Sequence, residues 1–576
     1  MSFIDLLRHL RHRIWSRWPI MALLVLAFGG CGGLPKDVDR PVSMALDTAG
    51  EPTELATMVQ QLRQKAGARH ASGFSLLSGP QEAYGSRLAL VQSAQKTLDL
   101  QYYAIHADAS SAHLLRSVVN AARRGVRVRI LLDDFHSTGR NALVMRMAFE
   151  PNIEMRMFNP VAGPRASFLG RMWGAVSDFS RVQQRMHNKL FLADNMMGVT
   201  GGRNLGDAYF GKAEAENFVD LDVLAVGPIV ADMSRSFDSY WNNPRAYPVQ
   251  SLVSREELDR LRAQVRSSGE KAGAEAGSPG STAPADRPRA SSPQWDTQPM
   301  DLRTVDFIWA PAAILVDEPT KIPLEGDEPP PSAAIRVGTT PGAHPEASDT
   351  PQAPPAPAAP VSSGDTVVDG LLTLMDRTRR ELLIISPYFV PGDDMKRAFA
   401  RARQRGVRVR LLTNSLASND APIAHVGYAR HREDLLAMGV ELYELRSEQA
   451  GLRSAFGSSG ASAAGASRSM LHSKVMVVDG RMVVVGSMNL DLRSQLHNTE
   501  IALLIRSRAL AAEAAQQIDT AMREGAWHLQ RSADGDLVWR APQGSGLEDA
   551  HTDPDSSLAL RLLLKLLGPL APDHLL

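Results

Sequence analysis

The chain of 576 residues is long enough for two or three domains with sizeable hydrophobic cores. Its 63 basic residues are matched by 63 acidic ones, and this balance argues against the broad positive surface that nucleic-acid binding requires. The single cysteine excludes an intrachain disulfide. Helix-forming runs of Ala, Leu and Arg alternate with Val-rich runs, so the composition indicates an α/β fold.

The first 34 residues have the pattern of an export signal. Several arginines precede an apolar run at 19–28, which is too short for a comfortable membrane span, and small residues then lead to Cys31. Small residues directly before a lone cysteine are typical of a lipoprotein signal, which predicts lipid attachment at Cys31. An uncleaved signal-anchor with a fortuitous cysteine is the alternative. Under either interpretation, we expect the N-terminus to hold an exported protein at a cell membrane.

The region after the signal contains a duplicated β-α-β unit. In each copy an apolar strand is followed by a helix that ends at a glycine, and then by a second, buried strand. The sequences ARRGVRVRILL and ARQRGVRVRLL, which join helix to second strand, are near-copies. We therefore predict two related halves, at 35–250 and 366–531. The predicted elements are strands at 97–105, 126–132, 381–390 and 407–412, and helices at 112–124 and up to Arg405.

Segments outside the two halves differ in composition. The segment 251–365 is mostly rich in Pro, Gly, Ala and Ser, so we predict disorder there, except for an ordered segment near 298–321. A shorter insertion at 450–469 is either a loop over the functional site or an inert linker. The C-terminal extension, 532–576, contains the run LALRLLLKLL at 558–567. This run predicts an apolar helix that either lies in a membrane interface or docks on its own domain.

One pattern of polar residues, H-x-K-x4-D, occurs once in each half and is followed by a small-residue turn and an asparagine. On an extended chain, a His and a Lys two residues apart point to the same face. One copy could arise by chance, but two copies with the same order and spacing argue strongly against coincidence. The predicted pocket combines imidazole, ammonium and neutral donors, which suits a phosphate diester. The residues of the two motifs and of the turns that follow them are His187, Lys189, Asp194 and Asn204 in the first half, and His472, Lys474, Asp479, Ser487 and Asn489 in the second.

These motifs resemble the phospholipase D superfamily, whose HxKxxxxD motif occurs twice, each time followed by G-(G/S)-x-N. The segments RGVRVRILLDD, MHNKLFLADN, GGRNLGDAYFG, ISPYFVPGDDM and NLDLRSQLHNTE look like the bacterial cardiolipin synthase branch, most like its C type. The resemblance covers most of the chain from about Pro35 onwards, apart from the insertions. It implies two duplicated phospholipase D-like α/β/α halves, packed around a pseudo-twofold axis with one shared active site and no cofactor.

The two histidines can share the chemistry of phosphodiester cleavage. One attacks phosphorus and the other protonates the departing oxygen, so the reaction needs no metal. In many family members the N-terminal histidine is the nucleophile, which assigns attack to His187 and protonation to His472. The lysines neutralise the phosphate charge, and the amides and one hydroxyl donate hydrogen bonds. These groups are Lys189 and Lys474 for charge, and Asn204, Asn489 and Ser487 for hydrogen bonds.

Two carboxylates are candidates for orienting the histidines. The resemblance places this role at Glu500 in the second half and at Asp220 in the first, where Glu216 and Asp222 lie near and compete. The first half has Gly202 where the second has Ser487, so the half-sites are chemically unequal. We expect Asp194 and Asp479 to brace the fold from outside the pocket. Asp133, Asp134 and Asn414 end the repeated strands, so we expect them near the pocket mouth. Tyr102, Tyr103, Tyr388 and Phe389 come from the other paired strands; for all seven, ordinary core or rim positions are the alternative.

Cardiolipin synthesis is the leading functional prediction. In this reaction a phosphatidyl group passes from one phospholipid to a histidine and then to the terminal hydroxyl of phosphatidylglycerol; phosphatidylethanolamine is a second candidate substrate. A phospholipase D hydrolase uses the same covalent intermediate with water as acceptor, so the residues alone do not separate the two. The balanced charge and membrane signal argue against a nuclease, and two intact half-sites argue against a non-catalytic lipid-binding protein. We expect phospholipids and a membrane surface as partners.

Overall fold

The structure is a computed structural model that describes residues 34–45, 52–161, 179–213, 215–263, 267, 298–323, 366–448, 468–568 and 572–573. Cys31 and the export signal lie outside the described residues. The same holds for most of the segment between the halves and for most of the insertion at 450–469.

The described strands and helices are interspersed along the chain. In chain order, the strands are β1 (Gly73–Leu77), β2 (Thr97–Tyr102), β3 (Arg127–Asp133), β4 (Ile153–Phe158), β5 (Arg185–Met186), β6 (Leu190–Ala193), β7 (Met197–Gly201), β8 (Glu216–Val219), β9 (Asp222–Val226), β10 (Ala246–Pro248), β11 (Ile308–Trp309), β12 (Ala312–Val316), β13 (Glu381–Ile385), β14 (Phe389–Val390), β15 (Arg408–Asn414), β16 (Glu441–Leu445), β17 (Arg468–Leu471), β18 (Val475–Val478), β19 (Met482–Gly486), β20 (Leu490–Asp491), β21 (Asn498–Thr499), β22 (Ile501–Ile505), β23 (Ala526–Arg531) and β24 (Leu537–Arg540). The α-helices are α1 (Glu54–Lys65), α2 (Pro80–Ser93), α3 (Ala109–Arg123), α4 (Phe179–Gln183), α5 (Pro228–Trp241), α6 (Val367–Arg377), α7 (Asp393–Gln404), α8 (Pro422–Ala429), α9 (Arg432–Ala437), α10 (Leu492–Leu496), α11 (Arg508–Gly525) and α12 (Leu558–Leu567).

Two nine-stranded sheets carry the duplication. The first has the order β11-β1-β9-β7-β6-β2-β3-β4-β10, and the second has the order β12-β22-β19-β18-β13-β15-β16-β23-β24. In both, three parallel strands (β2-β3-β4 and β13-β15-β16) adjoin an antiparallel meander that carries the motif. The prediction of two duplicated α/β halves is confirmed.

The crossover helices α3 and α7 end where the sequence predicts. Each is followed by a glycine in the left-handed region, Gly125 at φ 98° and Gly406 at φ 82°, which residues with a side chain adopt only with strain. Asp108 begins α3 by accepting a hydrogen bond from the Ser111 N–H. The near-identical sequences at these two helix ends therefore encode the same turn into β3 and β15.

The two sheets share one hydrophobic core. A buried cluster combines side chains of the first sheet, such as Leu192 and Val223, with side chains of the second, such as Val477 and Val483. Helix α5 contacts β12 of the opposite sheet, and α11 contacts β1 in the same way. Because burial of apolar area is the main stabilising term in folding, the halves are parts of one cooperative unit.

The ordered segment near 298–321 contributes to both sheets. Its strand β11 pairs with β1 of the first sheet, and β12 pairs with β22 of the second. The second sheet thus begins well before residue 366, and the Pro-rich stretch that follows β12 separates it from the rest of its half. At the other end, β23 and β24 extend the second sheet into the C-terminal extension.

The C-terminal helix α12 leans on the body of the protein by one edge. Leu564 is buried, and Gly568 lies so close to Val426 on α8 that an added Cβ would approach it to 2.7 Å. The opposite face is open to solvent. Its leucines are 51–74% exposed: Leu558, Leu562, Leu563 and Leu566. Within the described part of the chain, no helix combines the length and the apolar character needed to cross a membrane.

Candidate active site

Each motif lies where the chain passes from one sheet to another. Residues 187–189 link β5 to β6, and residues 472–474 link β17 to β18, so the His and the Lys lie between strands and not within one. Both lysines fold back on their own motif. The Nζ atom of Lys189 donates to the carbonyl of His187 at 2.6 Å, and that of Lys474 donates to the carbonyl of His472 at 2.5 Å.

Short parallel strand pairs connect each motif to the opposite half. Strand β5 pairs with β21, and β17 pairs with β8. The ladder continues into the motifs, because the His187 N–H donates to the Thr499 carbonyl at 2.9 Å and the His472 N–H donates to the Val219 carbonyl at 2.8 Å. Thr499 and Val219 directly precede the two candidate orienting carboxylates. The backbone therefore brings each histidine beside a carboxylate of the other half.

The side chains follow this exchange. The Nδ1 atom of His187 lies 3.0 Å from Glu500 Oε2, and the Nδ1 atom of His472 lies 2.7 Å from Asp220 Oδ2. A carboxylate at Nδ1 holds the proton there and leaves Nε2 free to react. Both carboxylates were predicted from the sequence, but nothing in the sequence indicated that each contacts the histidine of the opposite half.

The two acidic neighbours of Asp220 are engaged elsewhere. Asp222 forms a fully buried ion pair with Arg87 at 2.8 Å, and Glu216 pairs with Arg468 near the surface at 3.1 Å. Of the three first-half carboxylates that the sequence left in competition, Asp220 is the one that contacts a histidine.

Glu500 has a fuller set of partners than Asp220. The hydroxyl of Ser487 donates to Glu500 Oε2, and Asp317, directly after β12, exchanges two hydrogen bonds with the Glu500 backbone at 3.0 and 3.1 Å. Lys321 holds Asp317 in turn at 2.7 Å. The sequence did not reveal Asp317 or Lys321, because they lie outside both motifs in the segment between the halves.

The Gly202 position in the first half leaves no room for the serine of the second. A Cβ atom on Gly202 would lie 2.5 Å from Asp220 Oδ1, which is well inside contact distance. The shorter carboxylate of Asp220 thus occupies the space that Ser487 fills beside Glu500.

The two asparagines also differ. Asn204 is engaged on both sides: its amide nitrogen donates to the Tyr209 hydroxyl at 3.0 Å, and its oxygen accepts from the Ala104 N–H at 3.2 Å. Asn489 is buried, and its amide oxygen has no partner among the described residues. The second half-site therefore retains the freer amide.

Burial and mutual repulsion shape the electrostatics of the site. Burial, together with the charges of Lys189 and Lys474, places the pKa of His187 and of His472 well below its usual range. Burial lowers the pKa of Lys189 to about 7 and that of Lys474 to about 8. It raises the pKa of Glu500 to about 7 and also raises that of Asp220. Since both lysines act on both histidines, the four groups belong to one site.

The motif aspartates contact backbone at the start of the central strands. Asp194 accepts hydrogen bonds from three consecutive N–H groups, 95–97, and Asp479 does the same for 379–381. Both aspartates have a positive φ, 50° and 54°. These contacts fix the turn after β6 to the start of β2, and the turn after β18 to the start of β13.

Asp133 and Asn414 occupy equivalent places at the ends of β3 and β15. Asp133 accepts from the Met186 N–H at 2.9 Å, and Asn414 accepts from the Leu471 N–H at 2.8 Å. Met186 and Leu471 each directly precede a motif histidine. These two strand-end residues, which the sequence placed only near the mouth, hold the backbone that carries the histidines.

Aromatic and imidazole rings of the first half line one wall between the two histidines. Tyr103 packs edge-on against His187 with ring centres 5.1 Å apart, and Tyr209 packs edge-on against His472 at 5.3 Å. Between them lie His136, 5.0 Å from Tyr103, and His106, 6.2 Å from Tyr209. Of the other expected mouth residues, Tyr102 accepts a hydrogen bond from Arg87, Tyr388 donates to Asp420, Asp134 accepts from the Val161 N–H and Phe389 is buried in the second-half core.

The ranges that the structure describes contain no group of three or more His, Cys, Asp or Glu side chains arranged to hold a metal ion.

The fold and the site define the class. In structure, the chain resembles the phosphatidylserine synthase of Haemophilus influenzae Rd KW20, with a TM-score of 0.52 and 13% identity over 89% of this chain and 97% of that one. A family model described as cardiolipin synthase, PLD-like domain, matches residues 88–241 and 371–522. The chain therefore belongs to the cardiolipin synthase family of phospholipase D-like proteins.

Sequence relatives agree with this assignment. Cardiolipin synthase C of Escherichia coli (strain K12) is 34% identical over 504 residues, which cover 86% of this chain and 94% of that protein. Cardiolipin synthase of Geobacillus kaustophilus (strain HTA426) is 23% identical over 75% of this chain and 62% of that protein. The predicted family is confirmed, and with it the class of enzyme, a phosphatidyltransferase of the phospholipase D superfamily.

Proposed function

We propose that the protein makes cardiolipin by transferring a phosphatidyl group through a covalent intermediate on His187. The observation that carries the proposal is the pair of crossed contacts, His187 with Glu500 and His472 with Asp220, beside two lysines. With Nδ1 held by Glu500, the Nε2 lone pair of His187 attacks phosphorus of the donor lipid. The phosphorus–nitrogen bond forms, the bond to the headgroup oxygen breaks, and the Nε2 proton of His472 passes to that oxygen.

The second step reverses these roles. His472, now neutral, takes the proton from the terminal hydroxyl of phosphatidylglycerol, the hydroxyl oxygen bonds to phosphorus, and the bond to His187 breaks. Cardiolipin leaves, and the histidines return to their starting states. With phosphatidylethanolamine as donor the first product is ethanolamine; with phosphatidylglycerol it is glycerol.

The charge of the bound substrate explains how His472 can carry a proton although the pKa of both histidines is lowered in the empty cleft. In the empty cleft, burial and the lysines favour neutral histidines. A bound phosphodiester brings a negative charge that offsets the lysines and raises the pKa of His472. Neutral His187 is then ready for attack, and Asp220 stabilises the charged form of His472. Lys189, Lys474 and the amides of Asn204 and Asn489 surround the phosphate charge that develops, whereas the Ser487 hydroxyl, which the sequence assigned to the phosphate, donates to Glu500.

Lipid analysis tests the proposal. Purified protein is incubated with labelled phosphatidylglycerol, with and without phosphatidylethanolamine, in the presence and absence of a chelator, and the products are separated by thin-layer chromatography and mass spectrometry. We expect labelled cardiolipin in both chelator conditions, since lysines and amides supply the charge stabilisation that a metal would give. Phosphatidic acid as the only product would instead identify a hydrolase, and loss of turnover restored by a divalent ion would contradict the mechanism.

We further propose that both chain ends hold the site at a membrane. The exposed leucines of α12 present an apolar surface beside Lys565, an arrangement suited to the boundary between headgroups and acyl chains. The predicted lipid on Cys31 would add a second attachment. Cys31→Ser should leave an unprocessed precursor without palmitate label, whereas unchanged mass and label would contradict lipidation. Leu562→Glu together with Leu566→Glu should weaken vesicle flotation without changing thermal stability.

A further inference from the structure

An arginine beside the reacting histidines has no counter-ion among the described residues. Arg493 lies on α10 and is partly buried, and its side chain makes no ion pair or hydrogen bond with any described residue; its Nε atom is buried without a partner. By contrast, the buried arginines Arg87 and Arg432 form ion pairs with Asp222 and with Glu444. Partial burial of a cation without a partner costs free energy. An anionic group of a bound ligand would supply the missing partner of Arg493.

The position of Arg493 is fixed by the elements on both sides of α10. Before it, β20 pairs with β14 at the end of the segment that carries Asn489. After it, β21 ends at Thr499, whose carbonyl accepts from the His187 N–H. The charge of Arg493 accordingly lowers the pKa of His187 and also that of His136 on the aromatic wall. Its guanidinium is therefore near enough to the reacting histidine, and to His136 on the first-half wall, for its charge to act on both.

Arg493 has no equivalent in the first half. Counting from the motif asparagines, the sequence NLDLR of the second half aligns with NLGDA of the first, so Ala208 stands where Arg493 does. The two lysines are related by the duplication and face the reacting phosphorus together. The third cation is an addition to one side of the cleft only.

Cardiolipin formation requires two phosphodiesters in the cleft. One is the phosphatidyl group on the histidine, and the other belongs to the acceptor phosphatidylglycerol, one glycerol unit away from the attacking hydroxyl. We propose that Arg493 binds the phosphodiester of the acceptor lipid and so favours an anionic glycerophospholipid over water or a small alcohol. The inference rests on the proposed function. A guanidinium is suited to this role, because its planar set of donors matches two phosphate oxygens and its charge does not titrate.

Partitioning of the intermediate tests the inference. A phosphatidyl p-nitrophenyl ester serves as donor, and phosphatidylglycerol and ethanol compete as acceptors in mixed micelles. Both products, cardiolipin and phosphatidylethanol, derive from the same adduct, so their ratio does not depend on the fraction of folded protein or on the rate of adduct formation. For Arg493→Gln we expect this ratio to fall at least about tenfold, and for Arg493→Lys about threefold, because a charge without the planar fork remains.

Arg481→Gln is the matched control. Arg481 is exposed in the turn between β18 and β19, at the end of these strands remote from His472 and Lys474, so the same charge is removed and the ratio should stay unchanged. An unchanged ratio in Arg493→Gln, or equal loss of both products, would overturn the inference while leaving phosphatidyl transfer intact. Wild-type protein that forms neither product would instead refute the proposed function, and the acceptor site with it.

Discussion

The two half-sites have the same backbone but achieve one geometry with different side chains. In the second half, Glu500 reaches His187 with support from the Ser487 hydroxyl. In the first, the shorter Asp220 reaches His472 from a place against Gly202 that a serine could not share. After duplication, a longer carboxylate with a serine and a shorter carboxylate with a glycine fill the same space. The comparison shows that the pair of positions, and not either residue alone, is the unit that must be kept.

The exchange of carboxylates adds a second lesson. A single half contains a histidine, a lysine and a carboxylate, yet the carboxylate contacts the other half's histidine. Each histidine is therefore oriented only when β5 pairs with β21 and β17 pairs with β8. Assembly of the halves and assembly of the catalytic groups are one event.

The largest expected effects separate the histidines. Both His187→Ala and His472→Ala should reduce cardiolipin formation by about 10⁴-fold or more, since attack and protonation belong to the same step. With a p-nitrophenyl ester donor the leaving group needs no acid, so His472→Ala should still release a burst of nitrophenol and keep an acid-labile phosphatidyl group on residue 187. A burst and label in His187→Ala, on His472, would reverse the assignment.

Substitutions of the two orienting carboxylates should separate the same two steps. Each substitution should affect the step of the histidine in the opposite half. Glu500→Gln should abolish most of the burst, because it leaves His187 without its partner, whereas Asp220→Asn should keep the burst and slow turnover of the adduct. Loss of the orienting carboxylate in comparable sites costs about 10²- to 10⁴-fold. Stopped-flow measurement of nitrophenol separates the two phases. If Asp220→Asn removed the burst and Glu500→Gln kept it, the crossed contacts would not be the functional ones.

The variants Gly202→Ala and Ser487→Ala change equivalent positions of the two half-sites and should have smaller effects on turnover. Gly202→Ala places a Cβ against Asp220 Oδ1 and must displace it, so we expect turnover to fall by roughly 10- to 100-fold. Ser487→Ala removes one hydrogen bond to Glu500 and should cost at most about tenfold. Steady-state kinetics and thermal unfolding of both variants check the order. A larger loss for Ser487→Ala would show that support of Glu500 matters more than space for Asp220.

The duplicated fold was predictable because its signals are local. The repeated turn at Gly125 and Gly406, the apolar strands and the motif spacing are each encoded within a few residues. The partner of each histidine was not predictable, because Glu500 and Asp220 reach it through strand pairs that form only when the halves associate. Position in the chain suggested a contact within each half, and three-dimensional pairing exchanged the two.

Residues outside the motifs were missed for a different physical reason. Asp317 follows a strand within the segment predicted to be ordered, but Pro-rich sequence separates that strand from the second half, so no local signal linked it to the second sheet. Arg493 lies in a five-residue helix whose polar sequence resembles any exposed segment. Its lack of a counter-ion becomes visible only when the surrounding carboxylates are located.

The smallest expected effects come from the two lysines, which burial affects unequally. In the proposed mechanism the ammonium form binds phosphate. Burial lowers the pKa to about 7 for Lys189 and to about 8 for Lys474. In wild-type protein kcat/KM should therefore fall as pH rises above 7, with the first half-site losing its charge first. Arginine does not titrate in this range. At pH 8 the deprotonation of the remaining lysine should thus lower kcat/KM only about twofold in Lys189→Arg and about tenfold in Lys474→Arg.

Unfolding of the protein cannot account for the expected fall of kcat/KM above pH 7. A lysine whose pKa is lower in the folded than in the unfolded chain, where it is near 10.4, leaves the unfolded chain with more bound protons at intermediate pH. Both lysines therefore make the free energy of unfolding rise, not fall, between about pH 7 and 10. Thermal unfolding followed across the same pH values should show no loss that parallels the activity. The same pH dependence of kcat/KM in both arginine variants would mean that the half-sites, despite their different neighbours, bury their lysines equally.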